Sequence, residues 1–373
     1  QHGGQMKAPG RHYLSKMAIK RQIHALSMSK MNVLHWHVSD ASSMPFHMQK
    51  YPKLAEKGGF TPEATYSVVD VDEITQYAKH RGIRVILEFD MPGHNYAWSL
   101  ALPNLFVNCT DMHPIETQSW KGSFNPTLES VYEFLDGFIG EIAKRQTEKV
   151  LHLGGDEVQY KCWNESESIR SYMRKHNLNL TQLYGVFEER AHKIAKKYNL
   201  TIQSWDEVYS TAKDALPNDA IVQVWRSNLT LKSSILDGFR SILSKGYYLN
   251  LGFDMGKAQI QWTDIYSRDP MPSGLTKAQQ QLMLGAEACI WGEEVDEWNI
   301  DSRVWFRANI LSERLWSLQG DTKIGPDVLI RAIKQNCRLM RAGIHVNPID
   351  DRNFFPRRNL WAQCEVDVPG YQH

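Results

Sequence analysis

A chain of 373 residues with 42% hydrophobic side chains is long enough to bury a large core, as one big α/β domain or two smaller ones. Its formal net charge of +1 removes the electrostatic argument for nucleic acid or an anionic membrane surface as a partner. No apolar run reaches the length of a membrane span and no secretory leader opens the sequence, which reads as a mature or trimmed chain.

The first residues, Gln1-His2-Gly3-Gly4-Gln5-Met6-Lys7, are polar and glycine-rich, and predict either a poor strand or a chain that begins within a domain. From there, helical and strand-like stretches alternate. A helix is predicted over 15–29, a strand over 32–37, a helix over 71–80 and a strand over 83–88. Next come a helix at 128–145, a strand at 150–153 and a helix at 180–198. Strands at 200–205, 220–225, 239–244 and 282–290 precede a last helix at 303–315. Repeated β-α units without a long linker predict a parallel sheet, and eight of them close a (β/α)8 TIM barrel. The barrel is expected over 1–345, with 346–373 as a C-terminal tail packed on it.

The most telling segment is Leu151-His152-Leu153-Gly154-Gly155-Asp156-Glu157. An apolar run ends in two glycines that let the chain turn sharply, then presents two acids side by side. Like charges in a low-dielectric pocket cannot both ionise easily, so one pKa is expected to rise. A raised acid beside an anionic partner suits glycosidic cleavage. A solvated acidic turn is the plain alternative for Asp-Glu standing alone.

His35-Trp36-His37-Val38-Ser39-Asp40 places two histidines on one face of a strand with a carboxylate beyond them. His-x-His also begins metal sites in barrel hydrolases, but such a site needs further histidines at later strand ends, and none occurs between His192 and His345. Hydrogen-bonded core histidines are the other reading; no metal and no cofactor is expected. Glu88-Phe89-Asp90-Met91-Pro92-Gly93-His94 adds a carboxylate and imidazole suited to a relay toward Glu157. Trp205, Trp225 and Trp291 each end a predicted strand, as the wall of a pocket requires.

Compartment is read from Asn-x-Ser/Thr sequons at Asn108, Asn164, Asn179, Asn199 and Asn228, which together point to the secretory route. Of the 5 cysteines at least one is unpaired, and Cys289, inside a strand-like run, is expected to be a buried free thiol.

The set His35-Trp36-His37-x-x-Asp40, Asp90-x-Pro92-Gly93-His94, Gly154-Gly155-Asp156-Glu157 and Gly285-x-Glu287-Ala288-x-x-Trp291-Gly292-Glu293 resembles glycoside hydrolase family 20. More narrowly, it is similar to the lysosomal and secreted β-N-acetylhexosaminidases of animals. Asp301-Ser302-Arg303-Val304-Trp305-Phe306-Arg307 and Ser312-Glu313-Arg314-Leu315-Trp316 extend the likeness, which covers about residues 11–345. It implies substrate-assisted, retaining removal of terminal N-acetylglucosamine or N-acetylgalactosamine, in which the substrate's 2-acetamido oxygen attacks its own anomeric carbon. Glu157 would be the acid and then the base. Asp156 would hold the acetamido N–H, and Tyr248 the acetamido oxygen. Asp40 and His94 would form the relay, and Trp205, Trp225 and Trp291 the pocket. Arg11, Asn250 and Glu293 would grip sugar hydroxyls. The resemblance also implies the pairs Cys109–Cys162 and Cys337–Cys364, a glycan substrate, a lysosomal or secreted location and a homodimer.

Phe306 stands where the family has a proline, and two further departures accompany the resemblance. Ala8-Pro9-Gly10-Arg11-His12-Tyr13 keeps the family's arginine but lacks the aspartate and the apolar strand before it, and the family's small leading α/β domain is not recognised in this sequence. They motivate a competing reading, a catalytically silent or truncated glycan-binding relative, although Asp156 and Glu157 are both present. A third reading is a retaining barrel glycosidase with two protein carboxylates, for which the motifs supply no nucleophile.

Overall fold

The computed structural model describes residues 2–107, 122–250, 260–318, 321–349 and 364. Among them, eight parallel strands close into a barrel in sequence order: β1 (His2–Lys7), β2 (Val33–Ser39), β3 (Arg84–Phe89), β4 (Val150–His152), β5 (Thr201–Trp205), β6 (Ile221–Val224), β7 (Arg240–Leu243) and β8 (Met283–Ile290). The TIM barrel predicted from the alternating periodicity is present.

Helices lie outside, and their starts are written in the sequence. Ser15 caps the helix Lys16–Met28 by accepting the Ala18 N–H. Ser67 and Asp70 form a reciprocal capping box at the helix Val68–Lys79, and Asn179 with Gln182 does the same for Leu180–Lys197. Leu34, Trp36 and Val38 of β2 point out into the shell beneath these helices, while the alternate residues fill the lumen in three layers. Val33, Ile86, Val150, Ile221 and Ile242 form an apolar floor. Above it lie His35, Glu88, His152, Gln203, Gln223 and Glu287, all fully buried. The top layer is Met6, Ala8, Trp205, Cys289 and Trp291.

The N-terminal stretch corrects the sequence expectation. His2–Lys7 is a complete strand, buried throughout, paired with Gly4 opposite Val33 of β2 and His2 opposite Gly285 of β8. Two of its polar residues reach distant partners: His2 Nε2 lies 2.9 Å from Glu287 Oε2, and Lys7 Nζ donates to Gln22 Oε1 at 3.0 Å. Glycine is required at position 4, where a Cβ would stand 2.5 Å from His2 Nε2 and 2.9 Å from Glu287 Oε2.

The single helix predicted over 303–315 is two, Ile300–Val304 and Arg307–Trp316. The break falls at Phe306, whose φ is +101, and it turns Arg307 inward to donate to the Leu249 carbonyl at 2.7 Å. That bond braces the backbone between Tyr248 and Asn250. At the C-terminal end, Cys337 of the helix Pro326–Arg341 is disulfide-linked to Cys364. The remainder of the expected tail, apart from 346–349, lies outside the described residues.

Candidate active site

The chain leaves β4 through Gly154 and Gly155, with φ of +70 and +96. Both turns are closed to other residues, because a Cβ on Gly154 would lie 1.8 Å from Asp90 Oδ1 and one on Gly155 2.4 Å from Val208 Cγ2. The Gly155 N–H donates to Asp90 Oδ1 at 3.0 Å, and the Tyr184 hydroxyl to the Gly155 carbonyl at 2.6 Å. This fixed turn delivers Asp156 into the barrel, 6% exposed, and Glu157 outward, its side chain 37% exposed. Glu157 and His94 both adopt left-handed backbone, with φ of +50 and +52, a strain that marks positions held by their surroundings.

His94 joins the acids. Its Nε2 lies 3.3 Å from Glu157 Oε2 and 3.7 Å from Asp156 Oδ2, and its Nδ1 lies 3.5 Å from Asp40 Oδ1. Asp40 is fully buried, yet its carboxyl is held well below the usual range. Burial opposes the charge, but the Arg11 guanidinium and hydrogen bonds from His37 and His94 outweigh it. Arg11 Nε donates to Asp40 Oδ2 at 2.7 Å, Nη1 bonds Glu293, and the guanidinium stacks 4.4 Å from the Trp291 ring centre. The departure around Ala8-Pro9-Gly10 therefore does not displace Arg11. Gly10 lets the loop press on β2, since a Cβ there would meet the Asp40 nitrogen at 2.7 Å.

One of the two adjacent acids is raised, as the sequence predicts, and it is Asp156. Glu157 is held below its ordinary value, chiefly by the hydrogen bond from His94. Asp156 is raised by burial, and Asp90 well above the carboxylate range by burial and then the charge of Asp156. Asp90 thus keeps a proton and hydrogen-bonds Asp156. The sequence argument weighed the two adjacent acids against each other and did not see that the glycine turn sends one into the protein and the other into solvent.

The imidazoles of the HxH motif face the lumen. Glu88 takes His37 Nδ1 at 2.6 Å, His35 Nε2 at 2.8 Å and the Trp205 indole N–H at 2.8 Å, with His152 Nδ1 at 3.2 Å. Glu287 takes His35 Nδ1 at 2.7 Å and Gln223 Nε2 at 2.7 Å. The donor atoms of His35, Glu88 and His152 lie within 4.8 Å of one another, as do those of Asp90, His94 and Asp156, which is near enough for a cation. A third such group is His37, Glu88 and Asp90, and in all three the approach is accounted for by pairing of imidazole with carboxylate or by a proton held between carboxyls.

The residues packed beside these acids are aromatic. Trp205 and Trp291 are buried and Trp225 and Tyr248 are partly so, packed over Met6, Ala8 and Cys289. Ring centres are 6.1 Å apart for Trp205–Trp291, 6.2 Å for Trp225–Tyr248 and 6.4 Å for Tyr248–Trp291. Tyr248 reaches this wall because the chain after β7 returns alongside β8, where Leu249 N–H donates to the Cys289 carbonyl at 2.7 Å. Asn250 is buried next to it. Cys289 is a buried free thiol. Cys162 is disulfide-bonded, while Cys109 lies outside the described residues.

Sequence reasoning gave no role to Asp206, Glu207 or Glu287, and treated Glu88 and Asp90 only as acids of a segment suited to a relay. The signals were available: Glu88 and Glu287 are charges within apolar strands, and Trp205-Asp206-Glu207 repeats the strand–acid–acid order of Asp156-Glu157.

The sequence and the fold both match known proteins. Residues 1–319 match the model of the glycosyl hydrolase family 20 catalytic domain. The chain is 35% identical over 357 residues to the beta-hexosaminidase subunit alpha of Rattus norvegicus, covering 93% of this chain and 66% of that protein. It is 35% identical over 353 residues to the beta-hexosaminidase subunit beta of Homo sapiens, covering 93% and 62%. Among solved structures, a chitobiase of Flavobacterium johnsoniae superimposes with a TM-score of 0.83 at 28% identity, over 97% of this chain and 55% of that one. The chain spans slightly less than two thirds of the length of the curated relatives it matches. A closed parallel barrel with two acids at the end of β4 and a family match across most of the sequence lead to one conclusion: the chain belongs to glycosyl hydrolase family 20.

Proposed function

We propose that this protein is an exo-acting β-N-acetylhexosaminidase, removing terminal non-reducing N-acetylglucosamine or N-acetylgalactosamine from glycoconjugates by substrate-assisted, retaining hydrolysis. The observation that carries the reading is a buried Asp156 beside a solvent-facing Glu157, with His94 against both, at the edge of an aromatic pocket.

In the proposed reaction the acetamido oxygen of the substrate bonds to the anomeric carbon as the glycosidic C–O bond breaks, and Glu157 gives its proton to the departing oxygen. Water then attacks the oxazolinium ion, Glu157 takes back a proton, and the acetamido oxygen is released with net retention. Asp156, anchored by Asp90, holds the acetamido N–H and opposes the positive charge that develops. The Tyr248 hydroxyl donates to the acetamido oxygen. Trp205, Trp225 and Trp291 enclose the sugar and its methyl group, and Arg11, Asn250 and Glu293 take the hydroxyls. A bound sugar covers Glu157, and loss of solvent raises its pKa toward that of a working acid.

The same reading places the protein in the secretory pathway, lysosomal or secreted. Asn164, Asn179, Asn199 and Asn228 are all exposed, as acceptors of a glycan must be, and a disulfide joins Cys337 to Cys364; Asn108 lies outside the described residues. A homodimer is part of the proposal, in keeping with the relatives' naming as subunits.

Hydrolysis of 4-nitrophenyl N-acetyl-β-D-glucosaminide, with Glu157→Gln as control, tests it. Turnover is expected, and the variant should lose about 10²- to 10⁴-fold in kcat/KM. A folded wild-type chain without turnover overturns the reading.

A further inference from the structure

The end of β5 carries a second pair of adjacent acids, Asp206 and Glu207, directly after Trp205. Neither takes part in the chemistry above, and both turn toward one residue at the end of β6. Asp206 Oδ1 accepts the backbone N–H of Trp225 at 3.0 Å, and Glu207 Oε2 accepts its indole N–H at 2.9 Å. Arg226 closes the clamp, its Nε 3.1 Å from Asp206 Oδ2 and 3.5 Å from Glu207 Oε1.

Trp225 depends on such a clamp more than the other walls do. Trp205 is buried and donates its indole N–H to Glu88. Trp291 is buried, bonds Tyr248 and lies under Arg11. Trp225 is only partly buried. A ring with one open side has more than one staggered orientation available, and a hydrogen bond to a fixed acceptor selects among them.

We propose that Glu207 is a positioning residue: it sets the rotation of the Trp225 indole, and through it the shape of the pocket that takes the N-acetylated sugar. The inference rests on the functional reading given above. Its chemistry suits the place. Burial first, then the charges of Asp156 and Asp206, push the Glu207 carboxyl up to about 8. A neutral carboxyl puts no further charge against Asp156, and its carbonyl oxygen still accepts the indole N–H.

The test compares Glu207→Ala, Glu207→Gln, Trp225→Phe and the Ala–Phe double variant on 4-nitrophenyl N-acetyl-β-D-glucosaminide. Glu207→Ala is expected to raise KM about 10-fold with kcat within about 3-fold, the pattern of lost uniform binding. Glu207→Gln keeps a carbonyl acceptor and should stay within about 2-fold of wild type. In the Trp225→Phe background, which has no N–H to hold, Glu207→Ala should cost nothing more. An unchanged KM in Glu207→Ala, an equal defect in Glu207→Gln, or a fully additive double variant overturns the proposal. A second readout is independent of turnover: the indole ¹⁵N–¹H resonance of Trp225, identified by its absence in Trp225→Phe. It should move in Glu207→Ala and hold its place in Glu207→Gln, and an unmoved resonance in Glu207→Ala also overturns the proposal. If the wild type lacks turnover while the resonance behaves as expected, the functional reading fails and the positioning of Trp225 by Glu207 stands.

Discussion

His94 Nε2 stands 3.3 Å from Glu157 Oε2, and each shifts the other's pKa. Burial pushes the imidazole down, but the charge of Asp156 and hydrogen bonds to Asp40 and Glu157 outweigh it and raise it well above its ordinary value. The same contact holds Glu157 low. The pair therefore keeps one proton through neutral pH, and its transfer along the contact gives the protonated Glu157 that the proposed chemistry uses. On that mechanism the alkaline limb of kcat/KM belongs to the pair and lies well above the carboxylate range. His94→Asn leaves Glu157 to titrate alone, so the limb should move toward acid and activity at neutral pH should fall about 100-fold. Full pH–rate profiles of both proteins check this; an unmoved limb would show that the proton is not shared.

Asp90 offers a sharper contrast between two substitutions. Its raised pKa makes it a neutral hydrogen-bonding partner of Asp156, with its other oxygen on the Gly155 N–H. Asn keeps one acceptor and one donor in the same places, so Asp90→Asn should retain kcat within about 10-fold, while Asp90→Ala should lose about 10²-fold or more. Equal losses in the two variants would mean that the proton on Asp90 has no part in orienting Asp156.

The lumen predicts the pH range of stability. Burial opposes the charges on His35 and His37, but Glu287 and Glu88 for the first, and Glu88 and Asp40 for the second, raise them to about 10 and about 9. Their contribution is complete below the ordinary 6.5 and is lost as pH rises through those values. Glu88 and Glu287 are held below the ordinary 4.5, so their contribution is present above it and lost as pH falls. Thermal midpoints should be level from about pH 5 to about pH 6.5 and decline on both sides. A midpoint still level at about pH 10.5 would contradict the alkaline half.

Glycine-to-alanine changes should have opposite signs at two positions. At Gly154, φ is +70 and a Cβ would strike Asp90, so Gly154→Ala should destabilise by about 2 kcal/mol or more. Gly185 lies within the helix Leu180–Lys197, and its added Cβ meets Ala212 at an ordinary 3.6 Å. Gly185→Ala should stabilise by about 0.5–1 kcal/mol. Chemical denaturation of the two variants measures both.

The parts of this fold that announce themselves in sequence are helices with solvent on one side and a core on the other, and strands whose outward side chains are apolar. The strands at β2 to β8 show apolar residues at the outward positions, and the helices carry their caps beside them. β1 escapes because its partners lie far along the chain: His2 is matched by Glu287 and Lys7 by Gln22, and no local pattern encodes either. The site divides in the same way. Asp156, Glu157 and the strand-end tryptophans can be picked out by position, but the roles of Asp90 and Glu207 depend on which side chain each one meets across the barrel mouth. The break at Phe306 is likewise invisible to periodicity, since the apolar positions continue through it and only the backbone turn separates the two helices.

Closure of β1 on β8 has a consequence for when the protein becomes competent. Arg11, which follows β1, grips Asp40 after β2 and Glu293 after β8, and it lies 282 residues from the latter. Contacts of that span form late, because the intervening chain must be ordered first. A nascent or half-folded chain can already display the acids that follow β4 and pair Arg11 with Asp40, 29 residues away, while the guanidinium still lacks Glu293 and the Trp291 ring. The seam between the first and last strands therefore completes the sugar-facing side of the site: Arg11 gains its second carboxylate and its aromatic face only once the circle is shut.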